Sequence, residues 1–170
     1  MVMKKTSNPL KTHLTLISIS LGVFIVDQLF KFGITSFLSL GESFPENWPV
    51  RFTYVRNTGI AFGIPANQFF LVFMTSAVVV ALLVYLIRYH EFQPRLVRIA
   101  LSSITGGAVG NLVDRVRLGY VVDFVDFQVW PVFNIADSSV VVGVGLLLFF
   151  LIFHPEARLQ NKNRIDNNNV

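Results

Sequence analysis

Asn67–Ile87 reads NQFFLVFMTSAVVVALLVYLI and carries no charge. A helix needs about 20 predominantly apolar residues to cross the hydrocarbon core of a bilayer. This stretch meets that length without help, inside an uncharged region that begins at Asn57. It therefore reads as a transmembrane helix, and the rest of the chain is read around it. Three further apolar segments lie at about residues 13–32, 96–114 and 138–154. Each has a polar edge, and each time that edge is an aspartate: Asp27, Asp114 or Asp137.

Composition agrees. The chain of 170 residues is 53% hydrophobic and 14% charged, where a soluble domain carries roughly 25% charged residues. The absence of cysteine excludes disulfides, thiolate metal sites and cysteine nucleophiles. The net charge of +4 does not indicate nucleic acid, because the basic residues sit in short clusters beside apolar runs. Met1–Lys11 followed by Leu14–Val26 has the outline of a secretory signal, but Asp27-Gln28-Leu29-Phe30-Lys31 follows with no small-residue cleavage site. The segment reads as a retained first span. The expected organisation is one transmembrane domain over residues 1–160 and a disordered cytoplasmic tail over 161–170, rich in asparagine.

The basic residues predict the topology. Lys4, Lys5, Lys11, Arg88, Arg95, Arg98, Arg158, Lys162 and Arg164 make nine of the 14 Lys/Arg. Four spans put all of them on one side, which the positive-inside rule makes cytoplasmic, with both termini. Most acids then fall on the other side: Asp27, Glu42, Glu46, Asp114, Asp123, Asp126 and Asp137. Spans one and three run outward toward Asp27 and Asp114, and span four runs inward from Asp137. Three aspartates from three helices thus reach a similar depth near the outer interface.

Two outer loops remain. The first, Gly33–Ala66, holds Arg51-Phe52-Thr53-Tyr54-Val55, rich in β-formers and expected in a small sheet on the membrane surface. The second, Arg115–Ala136, contains Tyr120–Phe127. Trp48 and Trp130 suit an interfacial aromatic belt. Gly106, Gly107 and Gly110, with Gly143 and Gly145, read as faces for close helix packing.

Ionisable groups at the edges of spans are costly and mark function by default. The alternative for a single aspartate is that it ends its helix in the headgroup layer. Three at one depth, near Asn57, Asn111, Asn134 and Arg115, make that alternative weaker. The topology places His13, His90 and His154 at inner ends, so neither a Ser-His-Asp triad nor a histidine zinc site is available at the acidic cluster. No calcium-type loop is recognisable either, and no metal or cofactor is expected. A Ser-Lys pair of Ser138 or Ser139 with Lys31 competes poorly, because serines at a helix start usually act as caps. Paired carboxylates remain. Two aspartates in a confined site share one proton near neutrality. The ionised one takes a proton from water, and its protonated partner bonds the peptide carbonyl under attack. The pattern alone does not choose the pair.

The same residues resemble the lipoprotein signal peptidase (signal peptidase II) family. Asp27-Gln28 with Lys31 is similar to the family motif at the end of the first span. Asn57-Thr58-Gly59-Ile60-Ala61-Phe62 resembles its N-x-G-x-A-F motif, and Gly106–Arg115 resembles its G-G-x-x-G-N-x-x-D-R motif. Val122-Asp123-Phe124 and Phe133-Asn134-Ile135-Ala136-Asp137-Ser138 are similar to its two catalytic aspartate motifs. The resemblance implies an all-α membrane fold, with four transmembrane helices, a small extracytoplasmic β-sheet cradle and an outer surface helix. It implies an aspartic endopeptidase of the bacterial cytoplasmic membrane that needs no cofactor. Its substrates would be diacylglyceryl-modified prolipoproteins, cut before the lipidated cysteine among membrane lipids, and globomycin its inhibitor. It assigns catalysis to Asp123 and Asp137 and leaves Asp126 a surface residue. Asp27, Lys31, Asn57, Gly59, Asn111, Asp114, Arg115 and Asn134 become supporting or substrate-binding residues, with Asp114 and Arg115 a structural ion pair.

Other functions predict different sensitivities. A transporter with an acidic vestibule would depend on Asp114 rather than Asp137, but the chain lacks the inverted repeat and broken helices of that class. A scaffold built on the glycine faces gives no reason for carboxylates at Asp123 and Asp137.

Overall fold

The computed structural model describes residues 9–59, 67–89 and 94–154. The basic residues Lys4, Lys5, Arg158, Lys162 and Arg164, His90, the motif residues Ile60-Ala61-Phe62 and the 161–170 tail lie outside them. Four long helices carry the fold: α1 (Pro9–Phe37), α2 (Gln68–Tyr89), α3 (Arg95–Leu118) and α4 (Ile135–Phe153). Each contains a segment long and apolar enough to cross a membrane. Three short strands join them: β1 (Ser43–Phe44) and β2 (Arg51–Asn57) between α1 and α2, and β3 (Val121–Asp126) between α3 and α4. They form one antiparallel sheet in the order β1-β2-β3. No separate surface helix occurs among the described residues.

The helices turn their apolar side chains outward. Phe69, Phe73, Val141 and Ile152 are all more than half exposed. Such a surface would aggregate in water and is what a lipid-dissolved bundle requires, because apolar side chains there need no protein partner. Helix α3 is the exception and the centre: it packs on α1, α2 and α4 and is the most buried span. Its glycines permit this. A Cβ on Gly106 would stand 2.5 Å from the Ser20 carbonyl oxygen, and one on Gly143 of α4 would stand 2.6 Å from Ile104 Cγ1. Gly145 faces open space and takes no part in helix packing.

The helices overrun the apolar limits read from composition. Helix α1 continues to Phe37, so Asp27 and Lys31 lie inside it rather than at its end. Helix α3 carries on past Asp114 to Leu118, where Gly119 adopts φ 78° and caps it. That left-handed residue, which glycine adopts without penalty, lets the chain turn at once into β3. Asp123 consequently sits in a strand, not in a loop. The sheet docks on the bundle through Phe124, which stacks on Phe30 of α1 at 6.1 Å.

Candidate active site

Helix α4 starts where it does because Asn134 caps it. The Asn134 backbone is extended, its Oδ1 accepts the Asp137 N–H at 2.8 Å, and Asp137 Oδ2 accepts the Asn134 N–H at 3.3 Å. This reciprocal capping box satisfies two N–H groups and fixes the Asp137 side chain in the first turn. The amide end of Asn134 faces β3. Its Nδ2 donates to Asp123 Oδ1 at 2.6 Å, and lies 3.1 Å from Asn111 Oδ1 and 3.3 Å from the Val122 carbonyl oxygen. One fully buried asparagine therefore joins a strand carboxylate to a helix carboxylate.

Each carboxylate has a second amide donor. Asn57 Nδ2, at the end of β2, donates to Asp123 Oδ2 at 2.9 Å, and the Gly59 N–H fixes Asn57 by donating to its Oδ1 at 2.9 Å. Asn111 Nδ2 of α3 donates to Asp137 Oδ1 at 2.8 Å. Arg115, one turn further along α3, reaches the Gly59 carbonyl oxygen with Nη2 at 3.4 Å, while its buried Nε has no partner among the described residues. Asp123 is 1% exposed. Burial first, then the neighbouring Asp137 charge, push its carboxyl up to about 7, while the Asn57 and Asn134 amides favour the ionised form.

Beneath this pair lies a second ionic layer. The Lys31 ammonium is 2.8 Å from Asp27 Oδ2, 2.9 Å from Asp114 Oδ2 and 2.9 Å from Asn111 Oδ1. All three of its protons are thus placed, as a buried ammonium requires. Asp27 Oδ1 accepts the Ala136 N–H at 2.9 Å, so α1 holds the first turn of α4. Asp114 Oδ2 accepts the Val122 N–H at 3.1 Å, so α3 holds β3. Gly110 admits Asp27 between the helices; a Cβ there would come within 2.7 Å of Asp27 Oδ2.

All ten residues singled out from the sequence join one hydrogen-bonded network, with one change of partner. Asp114 pairs with Lys31, not with Arg115, because adjacent residues on a helix point in different directions. Asp126 is not a surface residue: it is 5% exposed and tied to Arg51 and Thr53 of β2. Burial opposes its ionisation, but the bonds from Arg51, Thr53 and the Gln128 N–H outweigh that and hold its carboxyl below the usual range. Gln28, which follows Asp27 in the first motif, bridges Asp114 Oδ1 at 3.0 Å and the Gly110 carbonyl oxygen at 3.3 Å. The Ser138 and Ser139 hydroxyls donate to the Asn134 and Ala136 carbonyls, and Lys31 is engaged elsewhere, so no Ser-Lys pair is assembled. No group of three or more acidic or histidine side chains among the described residues is placed to hold a metal ion.

Fold and site together define a multi-spanning membrane protein with an amide-clamped pair of carboxylates, Asp123 buried and Asp137 half-buried, at one end of its bundle. The family model for signal peptidase (SPase) II matches residues 19–153, and the chain belongs to that family. The lipoprotein signal peptidase of Halothermothrix orenii is 44% identical over 131 residues, covering 76% of this chain and 89% of the relative. That of Syntrophotalea carbinolica is 47% identical over 137 residues, covering 74% and 83%. A solved structure of a bacterial membrane enzyme, determined by the in meso method at 2.3 Å, superposes with TM-score 0.74 at 36% identity, over 81% of this chain and 87% of that one.

Proposed function

We propose that this protein is an endopeptidase that removes signal peptides from diacylglyceryl-modified prolipoproteins, cleaving before the lipidated cysteine with Asp123 and Asp137 as an aspartyl dyad. The observation that carries this reading is the Asn134 bridge, which holds two carboxylates from different elements against one side chain. Family membership supports the substrate class.

The chemistry follows from one proton held by the pair. With the Asp123 carboxyl pushed up to about 7, one proton is retained near neutrality. The ionised member takes a proton from a water molecule as its oxygen attacks the scissile carbonyl carbon. The protonated member hydrogen-bonds the carbonyl oxygen as it becomes tetrahedral, and a proton then passes to the leaving amine. Asn57, Asn111 and Asn134 hold the carboxylates in place so that little reorganisation accompanies the reaction. Asp27, Lys31 and Asp114 support the layer beneath, and Gly59 and Arg115 face the substrate backbone.

The protein acts in the bacterial cytoplasmic membrane, with both termini in the cytoplasm and the site near the outer face. Clusters of Lys and Arg at the ends and in the 88–98 connection support that orientation. A lipidated precursor lies among membrane lipids with its cleavage site at the same depth. A globomycin-type peptide would compete there. Purified protein is expected to release the signal peptide from a diacylglyceryl precursor, leaving the lipidated cysteine as the new N-terminus by mass spectrometry. Equal cleavage of the unlipidated precursor would overturn the substrate assignment.

A further inference from the structure

The sheet contains an irregularity that decides which way Asn57 points. Strands β2 and β3 pair as Arg51 with Asp126 and Phe52 with Val125, then shift, and resume as Val55 with Asp123, Arg56 with Val122 and Asn57 with Val121. Two residues of β2, Thr53 and Tyr54, therefore oppose the single residue Phe124. Side chains alternate between the faces of a strand, so an added residue reverses the facing of everything beyond it. With the shift, Val55 and Asn57 share a face with Asp123. Without it, Arg51 opposite Asp126 would bring Tyr54 opposite Asp123 and turn Asn57 to the other face.

Asp126 grips both sides of this shift. Its Oδ2 accepts from Arg51 Nε at 2.8 Å, before the irregularity, and from Thr53 Oγ1 at 2.7 Å, within it. Its Oδ1 accepts the Gln128 N–H at 2.7 Å, where Gln128 takes φ 64° and Nε2 reaches the Trp48 carbonyl oxygen at 2.7 Å. Thr53 Oγ1 also meets Ser43 Oγ of β1 at 2.8 Å. All three strands are thus pinned at one buried carboxylate on the face opposite Asp123.

We propose that Asp126 is a positioning residue, which by holding Arg51 and Thr53 maintains the β2 register that turns Asn57 onto Asp123. This rests on the reading of Asp123 as catalytic. Asp126 touches neither member of the proposed dyad and acts through Asn57 alone.

The chain has no cysteine, so a paired Arg56→Cys and Val122→Cys substitution reports the register by disulfide formation under mild oxidation, independently of activity. Cross-linking is expected to proceed in the parent and to fall several-fold when Asp126→Ala is added. In cleavage assays without those cysteines, Asp126→Ala should lower kcat/KM by about tenfold, the scale of one hydrogen bond to a charged group. It should also move the alkaline limb of the pH profile upward, because without the Asn57 amide to favour its ionised form Asp123 keeps its proton to higher pH. In an Asn57→Ala background it should cost nothing further. Thr53→Val removes one grip only and should show the same pattern at smaller size, including where Asp126→Ala does not fold. Unchanged cross-linking, an unmoved alkaline limb, or losses that multiply with Asn57→Ala would overturn the proposal. Failure of the dyad itself is separate, and would show as cleavage retained in Asp123→Asn with the cross-linking result intact.

Discussion

Asn134 Nδ2 lies 2.6 Å from Asp123 Oδ1, while the same side chain caps the helix that begins with Asp137. Helix capping and carboxylate orientation are therefore two tasks of one residue, and substitution should separate them. Asn134→Ala should lose both: about 1 kcal/mol of stability from the missing cap and most of the activity. Asn134→Ser keeps a capping oxygen but has no amide to donate to Asp123. It should melt above Asn134→Ala and cleave at least tenfold more slowly than the parent, a loss of about 1.4 kcal/mol in transition-state stabilisation. Thermal melting beside initial rates checks both.

Lys31 is the only cation in contact with Asp27 and Asp114 among the described residues. Lys31→Met should cost about 3–5 kcal/mol, because it leaves buried carboxylates uncompensated. Adding Asp27→Asn and Asp114→Asn should restore much of that loss. A Lys31→Met protein that melts with the parent would show that the ionic layer does not support the fold.

Helix packing can be tested at glycines with opposite surroundings. Gly106→Ala meets the Ser20 backbone and Val23 and should cost about 1–3 kcal/mol as α1 and α3 are forced apart. Gly145→Ala meets nothing within 4 Å and should be neutral, or stabilising by up to about 1 kcal/mol through helix propensity. Parallel melting curves decide.

Stability should also fall as pH rises through the range where Asp123 titrates. Its folded value is raised from 3.8 to about 7, so between those limits the native state binds more protons than the unfolded one. Stability then declines with pH from about 4 to about 7 and is level beyond. Asp123→Asn mimics the protonated form and removes this slope. Relative to the parent it should gain up to about 4 kcal/mol at pH 8 and nothing at pH 3. A gain at acid pH only would reverse the sign and reject the assignment.

Much of this architecture was legible from the chain, and the exceptions have physical causes. Asn67–Ile87 and the aspartates beside the other apolar runs were enough to place four helices and to draw Asp27, Asp114 and Asp137 together. Composition places the ends of α1 and α3 too early, because an apolar run stops at its first charge, whereas a helix continues through charges that neutralise one another. Lys31 does this for Asp27 one turn away and for Asp114 on another helix. Strand β3 was hidden because nearly all of Val121–Asp126 is buried, which removes the alternation that marks a half-exposed strand. Asp126 looked like a surface residue because its partners Arg51 and Thr53 lie far away along the chain. Only tertiary structure shows that they meet.

The most direct test of the dyad is cleavage of a diacylglyceryl precursor by the parent, Asp123→Asn and Asp137→Asn, each reconstituted in vesicles and verified as folded by melting. Each Asn substitution should keep the neutral side-chain volume and abolish product formation, with rates down by about 1,000-fold or more, equivalent to about 4 kcal/mol of lost transition-state stabilisation. Parent-like cleavage in either folded variant would contradict the account.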